Sequence, residues 1–254
     1  MSSNFNSIYA SIYDDIYRGK NYFREVNTLI QSAKIADSPH FSKLKLLDFG
    51  CGTGNHSIEF AKLGFIVTGI DPSLEMLEIA KKKSQDFKTI NLKQGSLEAI
   101  PISSLDFDLF ICMFNVLGYV GAVNSIESLF EKAFATLEEK KGKFIFDYWE
   151  NNLVSTNNSP ETIRAYQTHL GLIKRKTSSQ FVENDLLRIL ISWEGNMFNY
   201  YETKEEHFIR VYNSQEIMTK LQDIGFKSIT KVQLPNDKYS DTRGITLVAA
   251  SKNS

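Results

Sequence analysis

Asp48, Gly50, Gly52 and Gly54 alternate through Leu46-Leu47-Asp48-Phe49-Gly50-Cys51-Gly52-Thr53-Gly54, directly after one apolar run and ahead of a helical pattern. Alternating glycines at such a point let a backbone come close to a ligand. The dinucleotide fingerprint G-x-G-x-x-G would need its third glycine at position 55, which is Asn55, so the spacing does not fit NAD. Asp71 closes the next apolar run, Phe65 to Ile70, immediately before Pro72. A tight turn without a ligand and, for Asp71, a helix N-cap are the plain structural alternatives. His40, His56, His169 and His207 are scattered, with neither an HExxH pattern nor paired Cys-His spacing, so no metal is expected. Cys51 and Cys112 are too few for a disulfide scaffold or a zinc ribbon and read as free thiols.

With the D-x-G-x-G-x-G turn and Asp71 in this order, residues 44 to 150 resemble the class I S-adenosylmethionine-dependent methyltransferases. The resemblance implies that Asp48, Gly50, Cys51, Gly52 and Gly54 surround the methionine part of S-adenosylmethionine and that Asp71 takes the ribose hydroxyls. A carboxylate suits a diol because it accepts from both hydroxyls. It also implies an adenine site near Pro72, Met76, Ser96 and Leu97, where Ser96 replaces a common acidic residue, and Met113 joins the cofactor-binding candidates. A narrower resemblance, to the amino-sugar N-methyltransferases acting on nucleotide-linked deoxysugars, rests on Tyr13-Asp14-Asp15-Ile16-Tyr17-Arg18-Gly19 and Cys112-Met113-Phe114-Asn115-Val116-Leu117-Gly118-Tyr119. It implies that Tyr17 lies beside the cofactor and the acceptor amine. Asn115 and Tyr119 join it as catalytic candidates. Tyr119 stands where the sugar enzyme compared has a histidine, and a phenol of ordinary pKa about 10 is a poor base near neutral pH. Trp149, His207 and Arg210 are candidates for substrate contact, as an aromatic wall, a polar group and a two-pronged anion donor.

Positioning these residues requires an α/β fold. Ile8, Ile12 and Ile16, beside Tyr9, Tyr13 and Tyr17, make one helical stripe with Asn6 or Ser7 as cap. Phe23, Val26, Ile30 and Ala33 make a second that ends before Pro39. Strands are expected at Leu44 to Phe49, Phe65 to Ile70, Thr89 to Lys93, Phe107 to Met113 and Lys143 to Tyr148. Helices at Asn55 to Leu63, Ser73 to Gln85 and Ser125 to Glu139 separate them, as in a parallel sheet. After the polar stretch Asn151 to Ser159 come three strand-like runs, Thr162 to Arg175, Leu186 to Trp193 and Tyr200 to Tyr212. Their connections at Thr177 to Ser179 and Glu194 to Asn196 suggest antiparallel hairpins. A helix, Ser214 to Asp223 closed by Gly225, and strands Phe226 to Val232 and Ile245 to Ala250 follow. The expected architecture is a Rossmann-like, seven-stranded, mostly parallel sheet with an N-terminal helical cap and an inserted antiparallel β-lid. Its parts are the cap over 1–40, the core over 41–150, the lid over 151–212 and the completing segment over 213–254.

The chain has 254 residues, 42% hydrophobic and 23% charged, the balance of a folded protein, with 29 Lys plus Arg against 30 Asp plus Glu. A net charge of -1 disfavours nucleic acid and anionic membrane as partners. Leu109 to Val123 falls short of a membrane span, and no secretory signal is visible, so a cytoplasmic protein is expected. The charge runs Lys81 to Lys83 and Glu138 to Lys141 read as helix ends. The resulting expectation is transfer of a methyl group to a nitrogen or oxygen of a small molecule, most readily the amine of a sugar nucleotide, with S-adenosylhomocysteine as by-product. An O-methyltransferase for another polar metabolite or polysaccharide precursor, and a non-catalytic cofactor-binding module, are the rivals. A homodimer through the lid or an edge strand is compatible with the pattern.

Overall fold

A computed structural model describes residues 7–35, 41–100, 107–137, 142–151, 159–195, 203–232 and 245–253. Asn6, Pro39, His40, the run 138–141, most of the stretch after Trp149 and the beginning of the run at Tyr200 lie outside the described residues.

In β1 (Lys45–Phe49) the side chains alternate between two covered faces. Leu47 and Phe49 join Phe110 and Cys112 of β4 (Leu109–Cys112) and Phe144 and Phe146 of β5 (Lys143–Trp149) in one core. Leu46 joins Leu109, Ile111 and Ile145 in the other. The first core is closed by α5 (Val116–Val123), α6 (Ile126–Thr136) and α7 (Ser214–Ile224); the second by α2 (Tyr22–Ser32) and α3 (Asn55–Lys62). Strands buried on both sides must read as continuous apolar runs, which is why they stand out in the sequence. Each such Leu, Ile or Phe contributes about 1.5–3 kcal/mol by leaving water.

With β2 (Ile66–Asp71), β3 (Ile90–Gln94), β10 (Ser228–Val232) and β11 (Ile245–Ser251), the sheet runs β10-β11-β5-β4-β1-β2-β3. The pairs from β3 to β5 are parallel, and β11 pairs antiparallel with β5 and β10. Strand order reverses between β1 and β4, the topological switch where open α/β sheets hold ligands beyond the strand ends. The helix α4 (Leu74–Lys83) is capped by Ser73, whose side chain accepts from the Met76 N–H. Gly225, at φ 119, ends α7 as expected.

A second sheet, order β6-β7-β8-β9, contains β6 (Ser159–Thr168), β7 (Gly171–Phe181), β8 (Leu186–Gly195) and β9 (Thr203–Arg210), all antiparallel. Two details correct the sequence reading. The run Thr162 to Arg175 is a hairpin and not one strand: Thr168 pairs with Gly171, and the Thr168 hydroxyl accepts from the Leu170 N–H and donates to the Gly171 carbonyl. Thr177 to Ser179 are then the middle of β7 and not a connection. The segment after Asn115, to which the sequence reading assigns no element, is helix α5. The helix α1 (Ser7–Ile16) lies against α4 and β6, with Tyr9, Ile12 and Ile16 buried beside Met76 of α4 and Ile173 and Trp193 of the second sheet.

Candidate active site

The turn after β1 is held by two N–H groups, of Gly50 at 2.7 Å and Cys51 at 3.1 Å, on the Ile70 carbonyl. Gly50 has φ 77, and a Cβ there would lie 2.4 Å from Val116, so close packing of α5 demands glycine. Gly52 is the opposite case: φ is 54 and a Cβ would meet nothing within 4 Å, so its backbone faces open space. Asp71 spans the turn and α4, accepting the Gly52 N–H on one oxygen at 2.8 Å and the Ser73 N–H on the other at 2.9 Å. It is 7% exposed. Burial raises its carboxyl to about 6 against the pull of those two N–H groups.

A cleft opens over this turn, lined by Asp48, Gly50, Cys51 and Gly52 and, from the other side, Met113 and Phe114. Asp48 is buried under it, raised by desolvation and accepting the Ser57 hydroxyl at 2.6 Å. Cys51 and Cys112 are buried thiols pushed up by desolvation. The other residues expected near the adenine are arranged unevenly. Met76 is buried against α1, Pro72 is exposed with its carbonyl accepting from Gln94 at 3.2 Å, and Leu97 is buried. The Ser96 hydroxyl donates to Glu98 at 2.7 Å, keeping its oxygen able to accept.

The helix α1 is fastened to the turn through Asp14, which the sequence reading did not single out. One Asp14 oxygen accepts from the Thr53 hydroxyl at 2.7 Å and the Asn55 amide at 2.9 Å, and the other from Lys83 of α4 at 2.6 Å. Its neighbour Asp15 ties the same helix end to the second sheet, accepting from the His169 backbone at 2.8 Å and meeting its ring nitrogen at 2.7 Å. These contacts bring the Tyr17 ring edge-on to Phe114, 5.3 Å between centroids.

Phe114 and Asn115 both adopt positive φ, 70 and 57, unusual for residues with side chains. Asp147 holds them: it accepts their N–H groups at 3.0 and 2.5 Å, while burial raises its carboxyl to about 6. The Asn115 side-chain oxygen accepts the Trp149 N–H at 3.2 Å, joining the ends of β4 and β5.

In β9, Glu205, His207 and Ile209 are buried while Glu206 and Phe208 are exposed. The Tyr119 hydroxyl is 3.1 Å from Nδ1 of His207, whose Nε2 is 3.2 Å from Glu205. Tyr119, whose phenol burial pushes well up, packs beside Trp149. Arg210 is not brought to this space. Its guanidinium donates to Asp185 at 2.5 Å and to the Gly121 carbonyl at 3.0 Å, because odd and even positions of the strand point to opposite faces. Of the expected candidates, Tyr17, Asn115, Tyr119, Trp149 and His207 converge beyond the strand ends. Asp14, Phe114 and Glu205 are the additions, and the first two sit inside the tyrosine-rich and Asn115 segments already noted.

Residues 46–140 match the family described as a methyltransferase domain. The chain is similar to the YqeM protein of Bacillus subtilis (strain 168), 26% identical over 86% of this chain and 85% of that one. It is also similar to the dTDP-3-amino-3,4,6-trideoxy-alpha-D-glucopyranose N,N-dimethyltransferase of Streptomyces venezuelae, 29% identical over 56% of this chain and 57% of that one. In fold it resembles an S-adenosylmethionine-dependent methyltransferase from Clostridium acetobutylicum, with TM-score 0.74 and 24% identity over 97% and 98% of the two chains. DesVI of Streptomyces venezuelae superposes with TM-score 0.73 and 20% identity over 96% and 98%. Residues 46–140 thus carry a methyltransferase domain, set in the fold of the class I S-adenosylmethionine-dependent methyltransferases, and the pattern of the chain is similar to that of the amino-sugar N-methyltransferases.

Proposed function

We propose that this enzyme methylates the amine of a small polar acceptor, most readily an amino-sugar nucleotide, and that the cleft over Gly52 and the space between α1, α5 and the second sheet hold cofactor and acceptor. The observation that carries it is the joint enclosure of the strand ends by Tyr17 just after α1, Tyr119 from α5 and His207 from β9. The similarity to the Streptomyces venezuelae sugar N,N-dimethyltransferase supports the choice of acceptor class.

The residues present fit S-adenosylmethionine. The open backbone at Gly52 can be approached closely, and each Asp71 oxygen keeps a lone pair after taking one backbone N–H. In this reading Asp71 binds the ribose hydroxyls, Asp48 and the glycine turn line the methionine end, and Leu97, Met76, Pro72 and the Ser96 oxygen border the adenine. When bound, the cofactor supplies a sulfonium methyl group, an electrophile that needs no metal or covalent enzyme intermediate. The chain's part is to align the acceptor nitrogen, exclude water and take one proton. Tyr17 and Phe114 wall the reactive end, and Asn115, fixed by Asp147, sets the start of α5. The ranges 1–40, 41–150, 151–212 and 213–254 are our working division into cap, core, lid and completing segment, and a cytoplasmic setting without nucleic-acid partners belongs to the same reading. Among the described residues no helix is long and apolar enough to cross a membrane.

The test is incubation with methyl-deuterated S-adenosylmethionine and dTDP-3-amino-3,4,6-trideoxy-alpha-D-glucopyranose, beside the 3-hydroxy analogue, read by mass spectrometry. A labelled amine product supports the proposal. Label only in the hydroxyl analogue favours the O-methyltransferase reading, and cofactor binding with no product from any metabolite pool favours a binding module.

A further inference from the structure

The inner face of the second sheet is apolar at both ends, and between them polar residues of β7 and β9 flank Ile189 and Ile191 of β8. Ile173 and Trp193 are buried against α1 at one end, and Leu187 and Ile209 beside Tyr119 and Trp149 at the other. Arg175 and Thr177 of β7 and Glu205 and His207 of β9 share the phase of these residues and lie between them. The register sets Arg175 opposite Trp193, with Thr177 and Glu205 on either side of Ile191.

Buried polar groups in folded chains nearly always have partners. Among the described residues Arg175 Nε, Thr177 Oγ1, Trp193 Nε1 and Glu205 Oε1 have none, and neither does Asn115 Nδ2 at the facing start of α5. Three of these belong only to donors, one to an acceptor-only carboxylate and one to a hydroxyl. Such a set complements a ligand with an oxygen-rich body and a cationic or N–H-bearing end. The Arg175 guanidinium is already braced over the rings of Tyr166 at 5.4 Å and Trp193 at 6.0 Å.

Beside the free Glu205 oxygen runs the chain Tyr119, His207, Glu205. A carboxylate can only accept, so Nε2 carries the imidazole proton and Nδ1 is left to accept from the phenol. Tyr119 on α5 and Glu205 on its own strand are titratable groups within hydrogen-bond distance of His207.

We propose that this polar belt seats an amine acceptor, its nitrogen at the Tyr119 hydroxyl and its oxygen-bearing body at Arg175, Thr177, Trp193 and, through a donated hydroxyl, the free Glu205 oxygen, and that Tyr119 and His207 carry off its proton. The inference rests on the methyl-transfer reading. An ammonium nitrogen gives one proton to the Tyr119 oxygen as the phenol's own proton passes to Nδ1 of His207. The nitrogen lone pair is thereby freed to attack, and the Glu205 carboxylate offsets the charge on the imidazolium. His207 acts through Tyr119 and is a positioning and relay residue.

The test uses the full chain. With histidine labelled by nitrogen-15 and His207 assigned through its loss in H207Q, the neutral ring should show Nδ1 unprotonated; a protonated Nδ1 overturns the relay. With dTDP-3-amino-3,4,6-trideoxy-alpha-D-glucopyranose as probe, H207Q should lower kcat about 10²-fold at nearly constant KM, the scale of lost acid–base catalysis. R175Q should raise KM about tenfold with kcat kept, and E205D should recover part of what E205Q loses. An H207Q kcat within about twofold of wild type, or an R175Q KM that does not move, overturns the assignment. If the wild-type chain binds S-adenosylmethionine but leaves this probe unmethylated, the sugar reading has failed, and the imidazole tautomer decides the relay by itself.

Discussion

With Asp71 as the proposed ribose ligand, cofactor affinity should be a function of pH, with a sign opposite to this group's effect on stability. Burial raises its carboxyl to about 6 from an ordinary 3.8. Binding a ribose diol through two accepted hydrogen bonds needs the ionised form, so affinity should grow with pH until the group is fully ionised. At pH 5 roughly one chain in ten is ionised, and the apparent Kd should be about tenfold weaker than at pH 7.5. Folding runs the other way. Between about pH 4 and pH 6 the folded chain retains a proton that the unfolded chain has released, so this group's contribution to stability falls as pH rises through that window, by about 3 kcal/mol in all. Isothermal titration with S-adenosylmethionine at constant ionic strength, from pH 5 to 8, measures the first effect. Asp71→Asn should bind about 10- to 100-fold more weakly, with the loss of charge-assisted bonds, and with no slope over that range. Asp147→Asn should keep the wild-type slope, although Asp147 also titrates near 6 and lies under the same strand ends. A flat wild-type profile, or a slope that survives in Asp71→Asn, refutes the ribose role.

Asp14→Ala removes the carboxylate shared by Thr53, Asn55 and Lys83; it should lower stability to urea by about 1 kcal/mol and speed cofactor release, and unchanged release kinetics would show that α1 does not latch the turn. Gly50→Ala places a Cβ 2.4 Å from Val116 at a left-handed φ; it should cost about 3 kcal/mol and lower Tm by roughly 10 °C, part of which Val116→Ala should recover in the double variant. Arg210→Gln should leave kcat and KM unchanged and cost no more than about 1 kcal/mol, because its partners Asp185 and Gly121 lie away from the strand ends; a raised KM would return Arg210 to the acceptor site.

The parts of the fold readable from sequence are those where one physical rule acted unopposed. The strands β1 and β4 are covered on both faces, so past the exposed Lys45 nothing polar interrupts them except Asp48, whose carboxylate is satisfied by Ser57. The helix α5 was hidden because Val116, Leu117, Val120 and Val123 continue the apolar run of β4, and Gly118 and Gly121 sit where a helix former would be expected. Both glycines have packing reasons: a Cβ at Gly118 would lie 2.6 Å from Ile209, and at Gly121 it would strike the Tyr212 hydroxyl. The β6–β7 turn lacked an Asn-Gly signal, leaving Gly171 as its one mark, while Thr177-Ser178-Ser179 imitated a turn in mid-strand.

The site divides along the same line. The glycine turn and Asp71 are legible because their chemistry is written within one strand–turn–helix segment and the next strand end. The Asp14 latch joins residues 39 and 69 positions apart, and the Tyr119–His207 contact spans 88. No local rule announces either. In β9 the difficulty is sharper, since Glu205, Glu206 and His207 make both faces polar and remove the alternation that tells inside from outside. Strand alternation puts Glu206 and Arg210 on one face, and that is the face toward solvent, where Glu206 pairs with Arg188. A strand that buries its Glu and His gives up the apolar signal that would have fixed its register. A purely structural sheet would have no reason to do so, because a buried carboxylate oxygen without a partner destabilises the fold. The illegibility of β9 and the proposed acceptor chemistry therefore have one physical origin: the residues that would serve the acceptor occupy positions that folding by itself would fill with Val or Ile.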